Sequence, residues 1–190
     1  MRRLVYFIGA TLDGCIAGPQ DETEFFPISD ELVTWLIERY PETLPTHVRR
    51  QLDIDDRQNR EFDSVVMGRR TFEPALSVPT TSPYAHLHQH VFSRTLRLDD
   101  PTVRIERGDA TESVQRLKRL PSDKNIWLCG GGALAGALLP EIDEIVVKRY
   151  PVVVGDGIRL FSSSFDPDRF TPTQSHEFAN GTSVTWYARS

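Results

Sequence analysis

Short apolar runs alternate with segments of helical period along this chain. Residues 4–9 read as a buried strand that ends at Leu12-Asp13-Gly14, a turn signal. A loop rich in glycine, proline and acid covers 18–27. Ser29 and Asp30 can cap a helix whose apolar positions, Leu32, Val33, Leu36 and Ile37, recur at helical spacing, and Pro41 ends it. Residues 45–60 are polar and predict one short helix followed by an exposed connection. The run 64–68 predicts a second buried strand, 70–73 a helical start, and 74–83 a loop rich in proline, serine and threonine. Further strands are predicted over 89–93 and 103–106. Asp109-Ala110-Thr111-Glu112 fits a capping box and runs into a stripe of Val114, Leu117 and Leu120.

The last third repeats the alternation. A strand, Ile126-Trp127-Leu128-Cys129, stops on Gly130-Gly131-Gly132 and restarts as an apolar helix over 133–139. A strand over 142–148 follows, then the apolar Val152-Val153-Val154-Gly155. Two strands over 169–178 and 182–188 are joined by Asn180-Gly181, a strong hairpin signal. Strands alternating with helices predict a three-layer α/β fold with a mostly parallel central sheet, the C-terminal hairpin adding antiparallel strands at one edge. No internal repeat and no change of composition divides the 190 residues, so residues 1–190 are expected to form a single domain.

Composition narrows the function classes. A hydrophobic share of 39% and a charged share of 26% fit a globular chain, and a net charge of -5 argues against a general nucleic-acid binder. No apolar stretch has the length of a membrane span, and the first residues turn polar too soon for a signal peptide, so a cytoplasmic location is expected. Cys15 and Cys129 make no disulfide framework and no Cys-x-x-Cys pair; Cys129 reads as a small buried hydrophobe.

The glycine run carries the first chemical signal. A strand that stops on glycine and restarts as a helix lets a backbone approach a bulky anion and aims free N–H groups at it. It is neither a dinucleotide fingerprint, since the third glycine is Gly136 and Tyr150 stands where an acid is wanted, nor a P-loop. Tight helix–sheet packing explains such a run equally well when it stands alone. Two basic turns change the balance. Gly68-Arg69-Arg70-Thr71 and Ser93-Arg94-Thr95 also follow strands, and ligands of open α/β sheets bind outside the carboxyl ends of strands. Arginine there can fork onto a phosphate or stack on an adenine.

Taken in order, Thr11-Leu12-Asp13-Gly14-Cys15-Ile16-Ala17-Gly18, Val66-Met67-Gly68-Arg69-Arg70-Thr71-Phe72-Glu73, Phe92-Ser93-Arg94 and Cys129-Gly130-Gly131-Gly132 resemble the dihydrofolate reductase-like family. Ile142-Asp143-Glu144-Ile145, Pro151-Val152-Val153-Val154-Gly155-Asp156-Gly157 and Leu160-Phe161 resemble more closely the reductase domain of the bifunctional riboflavin-biosynthesis deaminase–reductases and their stand-alone relatives. The resemblance implies NADPH bound across the sheet. Ala10 and Ile16 would touch the nicotinamide end and Thr71 the pyrophosphate. Arg69, Ser93 and Arg94 would hold the 2′-phosphate, with Gly68, Arg70 and Thr95 beside them, and Gly130, Gly131, Gly132, Ala133 and Leu134 would face the pyrophosphate.

The same resemblance makes an acid on the first helix the proton donor, Asp30 first and Glu31 in reserve, although an acid in a first helical turn also serves the helix dipole. The implied activity is an NADPH-dependent reductase that transfers hydride to a small heteroaromatic or ribose-linked substrate resembling a pterin or riboflavin precursor. The alternative is an NADP(H)-binding protein of the same fold without catalysis. No His-x-Glu with a later Pro-Cys-x-x-Cys is present, so the deaminase half is missing. His86, His88 and His90 lack a carboxylate or cysteine at ligand spacing and read as solvated, with no metal site. The expected partner is a small-molecule substrate, without nucleic acid or membrane, and a homodimer is expected.

Overall fold

In the computed structural model, which describes residues 1–77 and 80–190, the apolar runs become strands of one sheet. The strands are β1 (Leu4–Ala10), β2 (Cys15–Ala17), β3 (Phe62–Gly68), β4 (His88–Phe92), β5 (Val103–Glu106), β6 (Asn125–Gly130), β7 (Glu144–Arg149), β8 (Ile158–Arg159), β9 (Phe170–Glu177) and β10 (Ser183–Arg189). The helices are α1 (Asp30–Arg39), α2 (Thr46–Gln51), α3 (Arg69–Phe72), α4 (Ala110–Arg119) and α5 (Gly132–Ala137). Among the described residues eight strands form one sheet in the order β5-β4-β3-β6-β1-β7-β10-β9. The pairs from β5 to β7 are parallel, and β10 runs antiparallel to both β7 and β9.

Each strand sends alternate side chains to opposite faces. Val5, Phe7, Val65, Met67, Trp127 and Val146 pack with Leu32, Leu36 and Tyr40 of the α1 side. Leu4, Tyr6, Val66, Ile126 and Leu128 pack with Val114 and Leu117 of α4 and Ala135 of α5. Burial on both faces is why the central strands are near-continuous apolar runs. The caps fall where expected: Ser29 Oγ accepts from Leu32 N–H at 3.2 Å and Asp109 from Glu112 N–H at 2.9 Å. Among the described residues no helix is long and apolar enough to cross a membrane.

Several expectations are corrected. β2 and β8, a two-stranded ribbon, are too short to leave a period in the sequence. The start of the expected loop over 74–83 is a 3-10 turn, Glu73–Ser77, and residues 78 and 79 of it lie outside the described residues. The apolar helix expected over 133–139 begins at Gly132 and gives way to a 3-10 turn at Leu139–Glu141, with Pro140 inside it.

The polar stretch after α1 is less exposed than its composition suggests. Glu42 is fully buried and accepts from the backbone N–H groups of Arg60, Glu61 and Phe62 at 3.2, 2.6 and 2.8 Å. Arg49, 1% exposed, donates to the carbonyls of Pro41, Asp55 and Arg57 at 2.9, 3.2 and 2.6 Å. Two buried charges satisfied by backbone thus clamp the insertion and fix α2 against the sheet. Two histidines also depart from the solvated expectation: His86 Nε2 meets the Glu42 carbonyl at 2.8 Å, and His90 Nδ1 meets Glu106 at 2.9 Å. Burial lowers the pKa of both rings.

Candidate active site

The carboxyl ends of β3, β4, β5 and β6 open onto one cavity of about 1170 Å³. Single-ligand pockets usually measure about 300–1,000 Å³, so there is room for a cofactor and a second small molecule. The glycine run forms one wall. Gly130 has φ +144°, which L side chains rarely adopt, and a Cβ there would stand 3.5 Å from Thr71 Oγ1. Gly132 is required for a different reason: a Cβ on it would overlap the Arg159 carbonyl oxygen where β8 crosses behind α5. The Ala135 N–H closes the first turn of α5 on the Gly131 carbonyl at 2.9 Å. The preceding amides of Gly132, Ala133 and Leu134 lie at the cavity wall.

The opposite rim is basic. Arg69 is held by Glu73 at 2.6 Å and Thr95 Oγ1 at 2.9 Å. Arg70 is held by Asp21 at 2.9 Å. Arg107 donates to the Leu96 carbonyl at 3.0 Å. The exposed Arg94 makes no hydrogen bond or ion pair among the described residues. Ser93 shapes its turn, its Oγ accepting from Leu96 N–H at 2.9 Å. One carboxylate, Glu106, also lines the cavity, engaged by His90 and Arg104, each at 2.9 Å. A chain with a net charge of -5 therefore places a cluster of guanidinium groups at one end of its largest described cavity.

The other end is narrow and mostly apolar, walled by Ile8, Pro45, His47, Pro83, Tyr84 and Cys129. α2 reaches it because Thr46 N–H donates to the Pro83 carbonyl at 2.7 Å and Thr46 Oγ1 accepts from Ala85 N–H at 2.9 Å. His47 Nδ1 is buried without a partner. Burial pushes the Cys129 thiol up to about 12 and raises the neighbouring Tyr84 hydroxyl as well, so both are neutral donors at physiological pH.

Of the residues singled out in the sequence, Ile16, Gly68, Arg69, Arg70, Thr71, Ser93, Arg94, Gly130, Gly131, Gly132, Ala133 and Leu134 all line the cavity. Three do not. Ala10 is buried behind it, 2% exposed, and Ile8 lines the wall instead, because the loop after β1 turns away. Thr95 stands behind the rim and steers Arg69. Asp30 is exposed in the first turn of α1 and is absent from the cavity wall, and Glu31 caps the Ala179 N–H at 3.1 Å. Both acids serve the helix start and its surroundings. His47, Tyr84 and Arg107 went unnoticed in the sequence, since each lies in a polar, non-periodic segment. Cys129 was legible as a strand residue and not as a cavity wall. Among the described residues no group of His, Cys, Asp or Glu converges to hold a metal, and the three histidines of 86–90 point apart.

Comparison with known proteins agrees with this geometry. The family model of the RibD C-terminal domain matches residues 2–184. The protein YwjB of Bacillus subtilis (strain 168) is 30% identical over 168 residues, 84% of this chain and 83% of its own. A protein from Shewanella sp. PV-4 assigned to riboflavin biosynthesis superposes with a TM-score of 0.70 at 24% identity, over 100% of this chain and 99% of that one. The Thermotoga maritima diaminohydroxyphosphoribosylaminopyrimidine deaminase/5-amino-6-(5-phosphoribosylamino)uracil reductase gives 0.64 at 16% identity; this chain is covered completely and spans 57% of that one. Dihydrofolate reductase from Enterococcus faecalis, complexed with NADP(H) and RAB-propyl, gives 0.64 at 12% identity over 99% and 96% of the two chains. The fold is thus the mixed α/β fold of these reductases. The chain belongs to the RibD C-terminal domain family.

Proposed function

We propose that this protein is an NADPH-dependent reductase acting on a small heteroaromatic or ribose-linked substrate. The observation that carries this is the single cavity at the strand ends, with glycines 130–132 on one wall and Arg69, Arg94 and Arg107 on the rim. The backbone of residues 130–134 and Thr71 would hold a pyrophosphate, and Arg69, Arg94 and Ser93 the adenosine 2′-phosphate. Hydride chemistry is supplied by the nicotinamide when it is bound; the protein contributes position, dryness and a proton. Ile8, Ile16, Tyr84 and Cys129 would wall the ring off from water at the narrow end. A cytoplasmic homodimer is part of the same proposal; the exposed edge strand β9 is its natural contact, and light scattering on the purified protein tests it.

Titration with NADPH and NADH, followed by quenching of tryptophan emission, is the test. Preference for NADPH above about tenfold, roughly 1.4 kcal/mol, supports the reading, and Arg69→Ala and Arg94→Ala should remove most of that preference. Binding of neither nucleotide overturns it. The position of Asp30 outside the cavity favours a second reading, NADP(H) binding without catalysis, which any turnover of a pterin, flavin precursor or imine excludes.

A further inference from the structure

Lys148 stands on the face of the sheet that carries Phe7 and Cys129. Side chains two apart on a strand share a face, and its neighbours Val146 and Tyr150 both pack in the α1-side core. In register it stands beside Gly9 of β1 and Val184 of β10, neither of which offers a polar side chain. A Cβ on Gly9 would lie 3.9 Å from Lys148 Cε and 3.0 Å from the Tyr150 ring. The stem thus passes over the glycine and sets Nζ 4.0 Å from the centroid of the Phe7 ring.

A half-buried ammonium ordinarily faces a carboxylate or a carbonyl. Lys148 Nζ makes no hydrogen bond and no ion pair among the described residues. The titratable groups around it are Cys129 on β6, Tyr40 after α1 and Tyr150 after β7. Burial pushes the thiol and both tyrosines up to about 12, so none is an anion at neutral pH. Nor is Nζ sealed off: the buried polar atoms without a partner are His47 Nδ1 and Thr182 Oγ1, which leaves Nζ in contact with open space. Cys129, its titratable neighbour, is itself a wall of the cavity's narrow end, together with Tyr84 and His47.

We propose that Lys148 is the group that meets the substrate: its ammonium donates to a carbonyl oxygen or ring nitrogen of a flat heteroaromatic substrate and delivers the proton of the reduction. The proposal rests on the reductase reading above. Reducing a C=N bond takes a hydride at carbon, which NADPH supplies, and a proton at nitrogen. An N–H bond of Lys148 breaks and its electron pair stays on Nζ. The new N–H forms on the substrate with the pair released from the C=N bond, and NADP+ remains. Water entering the cavity as product leaves reprotonates the amine. Burial lowers the Lys148 pKa to about 8, which keeps the cation as the resting form at pH 7 and makes it a better acid than a solvated lysine.

The test compares wild type, Lys148→Met and Lys148→Arg, using lumazine and 7,8-dihydropterin as flat probes that carry a lactam and a C=N bond. NADPH titration comes first; all three proteins should bind it alike. Ring binding to the NADP+-saturated proteins should weaken at least about tenfold in Lys148→Met and survive in Lys148→Arg, which keeps the charge. NADPH oxidation with a bound ring should fall about a hundredfold or more in both variants, because a guanidinium does not release its proton. If wild type binds no NADPH, the reductase reading fails and takes the proposal with it. If NADPH binds but neither ring does, or Lys148→Met matches wild type with either ring, the proposal alone is overturned.

Discussion

Replacing Lys148 with methionine should make the protein more stable. The amine titrates at about 8 in the fold against a model value of 10.5, and burial is the first cause. At about 1.4 kcal/mol per unit, holding the cation in that slot costs the folded state about 3 kcal/mol. Methionine keeps the stem and the contact with Phe7 without the charge. The direction of the pH dependence follows from linkage. Below pH 8 the lysine is charged in both folded and unfolded chains, and the full cost is present. Between pH 8 and 10.5 the unfolded chain still holds its proton while the folded one has lost it, so wild-type stability recovers. Above 10.5 both are neutral and the cost has vanished. Urea unfolding at pH 7 should therefore put the Lys148→Met midpoint about 1–2 M above wild type, for a slope typical of a domain this size, and the gap should close towards pH 10.5. Tyrosines and cysteines titrating in the same window cancel in the difference. Equal midpoints at pH 7, or a gap that ignores pH, would show that Nζ has a partner within the fold and would refute the reasoning.

Arg49→Met should destabilise by about 3 kcal/mol or more in urea unfolding, since it strips the donors from the carbonyls of Pro41, Asp55 and Arg57. Gly132→Ala places a methyl on the Arg159 carbonyl oxygen and should cost about 1–3 kcal/mol, with the thermal midpoint as readout; an unchanged midpoint would mean that β8 moves aside freely. Asp30→Asn should leave the NADPH titration unchanged and cost under about 1 kcal/mol, the size of a helix-dipole contact; a lost affinity would place the acid in the site after all.

The N-caps, the hairpin at Asn180-Gly181, the apolar central strands and the glycine and arginine turns at strand ends were all legible along the chain. Each is a local matter: a cap needs an oxygen three residues from an N–H, a turn needs glycine, and a doubly buried strand needs an apolar run. The order of the strands, and so the convergence of those turns on one cavity, came only with tertiary pairing. Arg49 and Glu42 look in sequence like surface charges of a polar insertion, yet they hold that insertion together from inside. Asp30 shows the reverse error, because a helix start written like a catalytic stretch faces solvent. Lys148 is the clearest case. In a strand it reads as one polar residue among apolar ones, as any outward-facing lysine does. Its meaning depends on Gly9, Phe7 and Cys129, residues 139, 141 and 19 positions away in the chain. The strand order β6-β1-β7 brings those three to its side, and a chain pattern records which residues are apolar but not which ones will be left without a partner.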